Sequence, residues 1–239
     1  MATVVITQPM LFPWPGFFEQ LALADIYVYL DDAQFSKGSF TNRVQIKVGD
    51  QVKWMTIPLA GGGTYKAIMD LDATTADWRA SHQLLLKQSL ANGPHAKDAI
   101  DILDEAYQQE KLCDALIQSI ELSAAYIGIG KSRKITYSSA LNVPGSSWRR
   151  VLDIVLSLGG TRYLTGHGAA RYMDHEAFES NGVSVEYMDY SLTPWPQGDV
   201  AFTPHVSVLN LIGHVGRDAH QYLQPRTTHW REFLAKQEP

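Results

Sequence analysis

Two short apolar runs, Val4-Val5-Ile6 and Ile26-Tyr27-Val28-Tyr29-Leu30, constrain this chain more than any other feature. A strand with one wet face alternates apolar and polar residues, and these runs do not alternate. Strands of that kind are covered on both faces, as in parallel sheets. The segment between them, Gly16 to Ala24, reads as a helix, so Ala2–Thr7 and Ile26–Leu30 form the strands of a βαβ unit. The pattern returns later. Lys134–Ser138 reads as a short strand, and Ser146 or Ser147 caps a helix that carries Trp148, Val151, Leu152, Val155 and Leu156 and stops at Gly159-Gly160. Strands at Thr161–Thr165 and Val183–Tyr187 bracket a short helix near 169–179. Pro194, Pro196 and Pro204 stiffen a long loop, and helices near 207–223 and 229–236 close the chain. Strands separated by helices give an α/β fold with a doubly wound, mostly parallel sheet. Its ligands sit beyond the carboxyl ends of the strands.

The intervening residues differ. Arg43–Val48 and Val52–Leu59 around Gly49-Asp50 read as a hairpin, followed by a Gly61-Gly62-Gly63-Thr64 loop that is either exposed or a flap over a ligand. Residues 75–130 turn helical. Thr75 or Asp77 caps a helix with Trp78, Leu85 and Leu86 that Pro94 ends. A second helix covers Ala96–Tyr107, and a third carries Leu112, Leu116, Ile117 and Ile120. The expected organisation is a first α/β half with hairpin (1–74), a helical insertion (75–130) and a second α/β half with C-terminal helices (131–239), in one compact domain.

Composition narrows the function. The 20 Lys+Arg against 25 Asp+Glu leave a formal charge of −5, which argues against general nucleic-acid binding but leaves room for a local cationic pocket. The single cysteine, Cys113, excludes an internal disulfide framework and a cysteine-based zinc site, and it falls within a helical run, which makes it a core residue. No apolar stretch is long enough to span a membrane and no signal peptide is visible, so the expected location is the cytoplasm. Neither an HExxH-type histidine pair nor a P-loop, G-x-S-x-G or GxGxxG motif occurs, and no metal site is expected.

Three constellations follow strands and so fall where such sheets bind ligands. In Thr7–Phe17, three prolines and the aromatics Phe12 and Trp14 fix an irregular loop ahead of a helix N-terminus, with Gln8 and Trp14 as candidate binding residues. It reads equally as a rigid packed connection. In Asp31-Asp32-Ala33-Gln34-Phe35-Ser36-Lys37, two adjacent carboxylates at the end of a buried strand need cations, metal or ligand beside them. Arg43 and Lys47, which share a strand face with Gln45 beyond Asn42, either pair with those carboxylates or grip an anionic ligand. In Thr165–Asp174, Gly166 and Gly168 flank His167, which acts there as an acid, base or donor, or else sits in a tight turn; Tyr172 follows. His82, four residues after Trp78, faces the cleft or is half-buried in its helix.

These residues resemble the WbqC-like family of bacterial proteins. Its opening pattern, His-Gln-Pro-x-Tyr-Phe-Pro-Trp-x-Gly-Tyr/Phe, is matched by Thr7-Gln8-Pro9 and Phe12-Pro13-Trp14-Pro15-Gly16-Phe17. Its Asp-Asp-Val-Gln-Phe-x-Lys segment is similar to Asp31–Lys37, its Asn-Arg to Asn42-Arg43, its Trp-Arg-x-x-His to Trp78-Arg79 and His82, and its Tyr-Leu-Ser-Gly-x-Gly to Tyr163–Gly168. The resemblance spans residues 3–223. Two departures stand out. The opening His is Thr7 here, and a usual Leu-Ser-x-x-Asp…Asn-x-Gly run reads Val206–Asn210 and His214-Val215-Gly216. A more distant likeness is to the adenylyl-transferring (HUP-type) enzymes with a Rossmann-like fold, pantothenate synthetase among them. Their two catalytic histidines would fall at Trp14 and Phe17.

The family occurs in gene clusters for O-antigen and other surface polysaccharides and for specialised metabolites. The resemblance therefore implies a biosynthetic transferase that passes an acyl or aminoacyl group from an activated thioester to an amine of a sugar nucleotide or small metabolite. His167 or His82 would take the proton, Asp31 and Asp32 would orient the amine, and Gln8, Trp14, Gln34, Lys37, Asn42, Arg43, Lys47, Gly166, Gly168 and Tyr172 would bind substrate. No resident cofactor is expected; a coenzyme A thioester or an acyl-carrier protein is the candidate donor. The alternatives are a non-catalytic binder of a nucleotide sugar or carrier-bound intermediate, and a nucleotide-dependent ligase on the adenylyl-transferase scaffold.

Overall fold

A computed structural model describes residues 2–74, 77–198 and 201–237. Six strands form one sheet in the order β5-β2-β1-β6-β7-β8, where β1 is Thr3–Thr7, β2 Ile26–Tyr29, β5 Lys134–Tyr137, β6 Arg162–Thr165, β7 Ser184–Met188 and β8 Thr227–His229. The first five are parallel, and β8 runs antiparallel on the β7 edge. This is a mixed α/β fold of Rossmann-like type. The non-alternating runs have a direct explanation. Val5, Tyr27, Tyr29, Leu164 and Met188 face one core; Val4, Ile6, Val28, Tyr163 and Tyr187 face the other.

The first core is closed by α1 (Pro15–Ala22), α2 (Trp78–Ser89), α3 (Ala96–Ala106), α4 (Leu112–Ile127) and α8 (Val208–Val215), through Phe18, Leu86, Leu103, Leu116 and Leu209. The second is closed by α6 (Ser147–Ser157), α7 (His175–Ser180) and α9 (Trp230–Ala235), through Leu152, Phe178 and Phe233. Burying each such side chain contributes about 1.5–3 kcal/mol. Cys113 is in the first core, and burial pushes its thiol up to about 12.

The hairpin of β3 (Arg43–Val48) and β4 (Gln51–Thr56) is a separate two-stranded sheet. Gly49 has φ 57°, the positive value its two-residue turn requires. Its second strand stops at Thr56, short of the expected Leu59, because Pro58 has no N–H to donate. The expected helix at 207–223 is α8 followed by a 3₁₀ stretch, Gly216–Tyr222, since Gly216 adopts φ 60°, ψ −135°. The segment near 169–179 likewise divides into a 3₁₀ turn, His167–Arg171, and α7. The one-turn helix α5 (Ser138–Leu141) and β8 have no counterpart in the sequence reading. Thr75, a candidate cap, lies outside the described residues, and Asp77 and Ser146 make no side-chain capping bond. No helix among the described residues is long and apolar enough to cross a membrane.

Candidate functional site

The strand order reverses direction between β1 and β6, since the chain passes from β1 to β2 and β5 on one side and to β6 and β7 on the other. In such sheets the loops leaving the two central strands diverge and open a crevice. Two adjoining cavities occupy that position. The inner chamber, of about 410 Å³, is lined by Thr7, Gln8, Trp14, Gln20, Phe40, Thr165, Gly166, Gly168, Tyr172 and Tyr190 among others. The outer chamber, of about 380 Å³, is lined by Asp32, Gln34, Gly145, Ser146, Ser147, Arg150 and Ile154 among others. Gln8, Leu30 and Tyr172 belong to both.

The loop after β1 is rigid because two helices hold its backbone. Ser119 on α4 donates to the Met10 carbonyl (3.1 Å) and receives the Phe12 N–H (2.9 Å). Ser207 donates to the Phe12 carbonyl at 3.0 Å, and Val208 N–H to that of Pro13 at 3.0 Å. These bonds keep the fully buried Phe12 at φ 38°, a conformation a bulky residue avoids unless its surroundings dictate it. Trp14 then lies edge-on to Tyr190 (4.7 Å) and His205 (5.0 Å), and its indole covers Gly16 so closely that a Cβ there would meet ring carbons at 2.1 Å. Gln20 donates to the Leu164 carbonyl at 3.1 Å, and Thr7 shares a 2.5 Å hydrogen bond with Tyr27. The inner wall is thus aromatic with neutral polar groups, and burial pushes the Tyr190 hydroxyl further above neutral pH.

The outer chamber is electrostatically different. Arg150 grips Asp32 through two bonds, Nη1–Oδ1 at 3.0 Å and Nη2–Oδ2 at 2.5 Å, and its Nε donates to the Val143 carbonyl at 2.9 Å. Partial burial opposes ionisation of Asp32, but the Arg150 and Ser138 hydrogen bonds and the guanidinium charge outweigh it and hold the carboxyl below its usual range. Gly145 (φ 105°) and Ser147 (φ 57°) bend the chain into α6, whose first N–H groups have no partner within the helix. A helix start favours negative charge.

Of the residues singled out from the sequence, Gln8, Trp14, Asp32, Gln34, Gly166, Gly168 and Tyr172 line the cleft. The others stand elsewhere. Asp31 accepts from Ser139 N–H (3.0 Å) and Ser139 Oγ (2.6 Å), which ties the end of β2 to α5. Arg43 donates to the Gly38 carbonyl at 2.5 Å and stacks on Trp54 at 4.2 Å, so the carboxylate's arginine is Arg150 and not Arg43. Asn42 donates to the Ile57 carbonyl, Lys47 is buried against Gln197 and Ala201, and Lys37 is exposed beside neither chamber.

Both histidines proposed as bases are also outside the lining. His82 is buried, accepting from the Tyr107 hydroxyl (2.7 Å) and donating to the Thr56 carbonyl (3.0 Å), and burial drops its pKa to about 4. His167 turns outward, with Nε2 on the Met188 carbonyl at 2.7 Å and its ring against Tyr190 and Phe233. The glycine-rich loop at 61–64 lines neither chamber. The sequence reading missed Arg150, Gln20, Phe40 and Tyr190. For Arg150 the available signal is the Gly145-Ser146-Ser147 helix start, which lies on the same path from a sheet strand to a helix although a one-turn helix intervenes. Among the described residues, no group of three His, Cys, Asp or Glu is placed to hold a metal ion.

Comparison with known proteins decides the family, because the model of the WbqC-like protein family matches residues 8–222. The chain belongs to the WbqC-like family. The match covers the loop after β1 from Gln8 onward, the loops after β2 and β6, and the turn at residues 145–150. The WbqC-like chain is also 27% identical over 227 residues to uncharacterized protein Rv1507c of Mycobacterium tuberculosis (strain ATCC 25618 / H37Rv), spanning 94% of this chain and 98% of that protein. No solved structure matches. Thr7, the position at which the resemblance would set a His, lines the inner chamber.

Proposed function

We propose that the cleft holds two substrates side by side and passes an acyl or aminoacyl group from a thioester to the amine of a sugar nucleotide or small metabolite. The observation that carries this reading is the pair of unlike chambers meeting at Gln8 and Tyr172. The outer chamber suits the anionic end of one substrate, with the start of α6 facing it and the Arg150 charge shared with Asp32. The inner chamber, aromatic and uncharged, suits the reacting end. The amine nitrogen attacks the thioester carbonyl, the C–S bond breaks as the amide forms, and the proton leaving nitrogen ends on the departing thiolate. No side-chain base is required, which accords with both histidines standing outside the cleft. The Gln8 amide and Tyr172 hydroxyl serve to hold the carbonyl at the junction, and rate comes from placement of the two reactants.

A binding protein for a nucleotide sugar or carrier-bound intermediate is the second reading, favoured by the same absence of a histidine from the described lining. Thermal-shift screening separates them. A ligand at ~100 times its Kd adds about 2.7 kcal/mol, or roughly 5–10 °C in a domain of this size. Transfer predicts shifts from a coenzyme A or carrier-protein thioester and, independently, from an amine. Shifts with sugar nucleotides alone favour the binder, and shifts with ATP favour ligase chemistry.

A further inference from the structure

A smaller cavity of about 110 Å³ lies between the hairpin, α2 and α8, and shares no lining residue with either chamber of the cleft. Lys47, Ser89, Asn92, Gln197, Asn210 and His214 line it. Lys47 is only 4% exposed, an unusual place for an ammonium group. It donates to Gln197 Oε1 at 3.2 Å and to the Ala201 carbonyl, both neutral acceptors. The third ammonium proton has no partner among the described residues.

Asn210 is 2% exposed, and its Oδ1 accepts from Trp195 Nε1 at 2.9 Å. Its amide nitrogen therefore faces the cavity side with no acceptor among the described groups. Gln197 accepts from Lys47 and Thr203 N–H and donates one amide proton to the Thr203 carbonyl. The Ser89 hydroxyl has no partner and is itself buried behind the wall, and His214 contributes a half-buried imidazole that feels the Lys47 charge. None of the described lining residues is acidic, and Lys47 forms no ion pair among the described residues. Among the described residues the acid it senses is Asp50, exposed at the hairpin turn. The carboxyl end of α2 points its carbonyls toward this region, but a helix end carries about half a charge against the full charge of the ammonium.

We propose that this cavity binds one phosphate-sized oxyanion, either free or as the terminal group of a phosphorylated molecule. A buried cation needs a counter-charge, and the described walls offer donors without supplying one. The volume, well below the roughly 300 Å³ at which pockets for drug-sized ligands begin, limits the occupant to a single small group.

The test is calorimetric titration of the full chain with inorganic phosphate and, separately, phenyl phosphate, using wild type, Lys47→Met and Asn210→Asp. Met keeps the aliphatic stem packed. Asp keeps an acceptor for Trp195 while setting a carboxylate in the cavity with Lys47. Saturable binding by the wild type that weakens at least about tenfold in both variants is the expected result. Phenyl phosphate binding as well assigns a phosphorylated molecule, whereas binding of the inorganic ion alone assigns the free ion. No saturable binding by the wild type, or full retention in either variant with a wild-type circular dichroism spectrum, overturns the site. Arg150→Met, in the cleft, leaves this titration unchanged, so the result is independent of the transfer reading.

Discussion

His82 shows how one buried side chain makes stability depend on pH. In the unfolded chain its pKa is near the ordinary value of about 6.5, and in the fold it is about 4. Between those values the unfolded state holds a proton that the native state does not, so stability falls as pH falls through that window. The size is about 3 kcal/mol. We expect the stability gap between wild type and His82→Gln, measured by urea unfolding, to shrink by about that amount from pH 7 to pH 4. A gap independent of pH would contradict the assignment. Gly16 is a second such position. Gly16→Ala drives a methyl into the Trp14 indole, costs about 1–3 kcal/mol through overpacking and displaces a wall of the inner chamber. Ligand-induced thermal shifts should then decrease more than the drop in melting temperature alone would suggest.

At the scale of elements, strands whose period announces burial were the most legible. Val4–Ile6 and Ile26–Leu30 could be placed from sequence because both faces of each strand are covered. β8 could not, because Thr227-Thr228-His229 is three residues long and owes its strand form to the exposed edge of β7. The pairing of Asp32 was also out of reach. Its partner Arg150 is 118 residues away and arrives only because β5 lies beside β2 and leads through α5 into α6, whereas Arg43 is far nearer in sequence. This pair joins the end of β2 to the start of α6, which yields a prediction. Arg150→Met strands a partly buried carboxylate and costs about 1–3 kcal/mol. Adding Asp32→Asn should recover most of that loss in denaturant midpoint without restoring anion binding in the outer chamber. If the double variant is no more stable than the single one, the pair is not what holds the two elements together.

For the molecule as a whole, strand order located the cleft better than motif chemistry did. The loops after β1, β2 and β6 all reach it, as expected for carboxyl ends of parallel strands, and seven of the residues read from those loops line its walls. Neither histidine lines the cleft: His82 joins the Tyr107 hydroxyl to the Thr56 carbonyl, and His167 rests on the Met188 carbonyl. The proposed transfer therefore depends on placement of two substrates and not on a histidine base. The most direct test is to incubate the protein with a thioester donor and an amino sugar nucleotide, following free thiol and amide product together. Amine-dependent thiol release that survives His167→Ala and falls at least about tenfold in Tyr172→Ala is the predicted result. Loss of turnover in His167→Ala, or thiol release that ignores the amine, would contradict it.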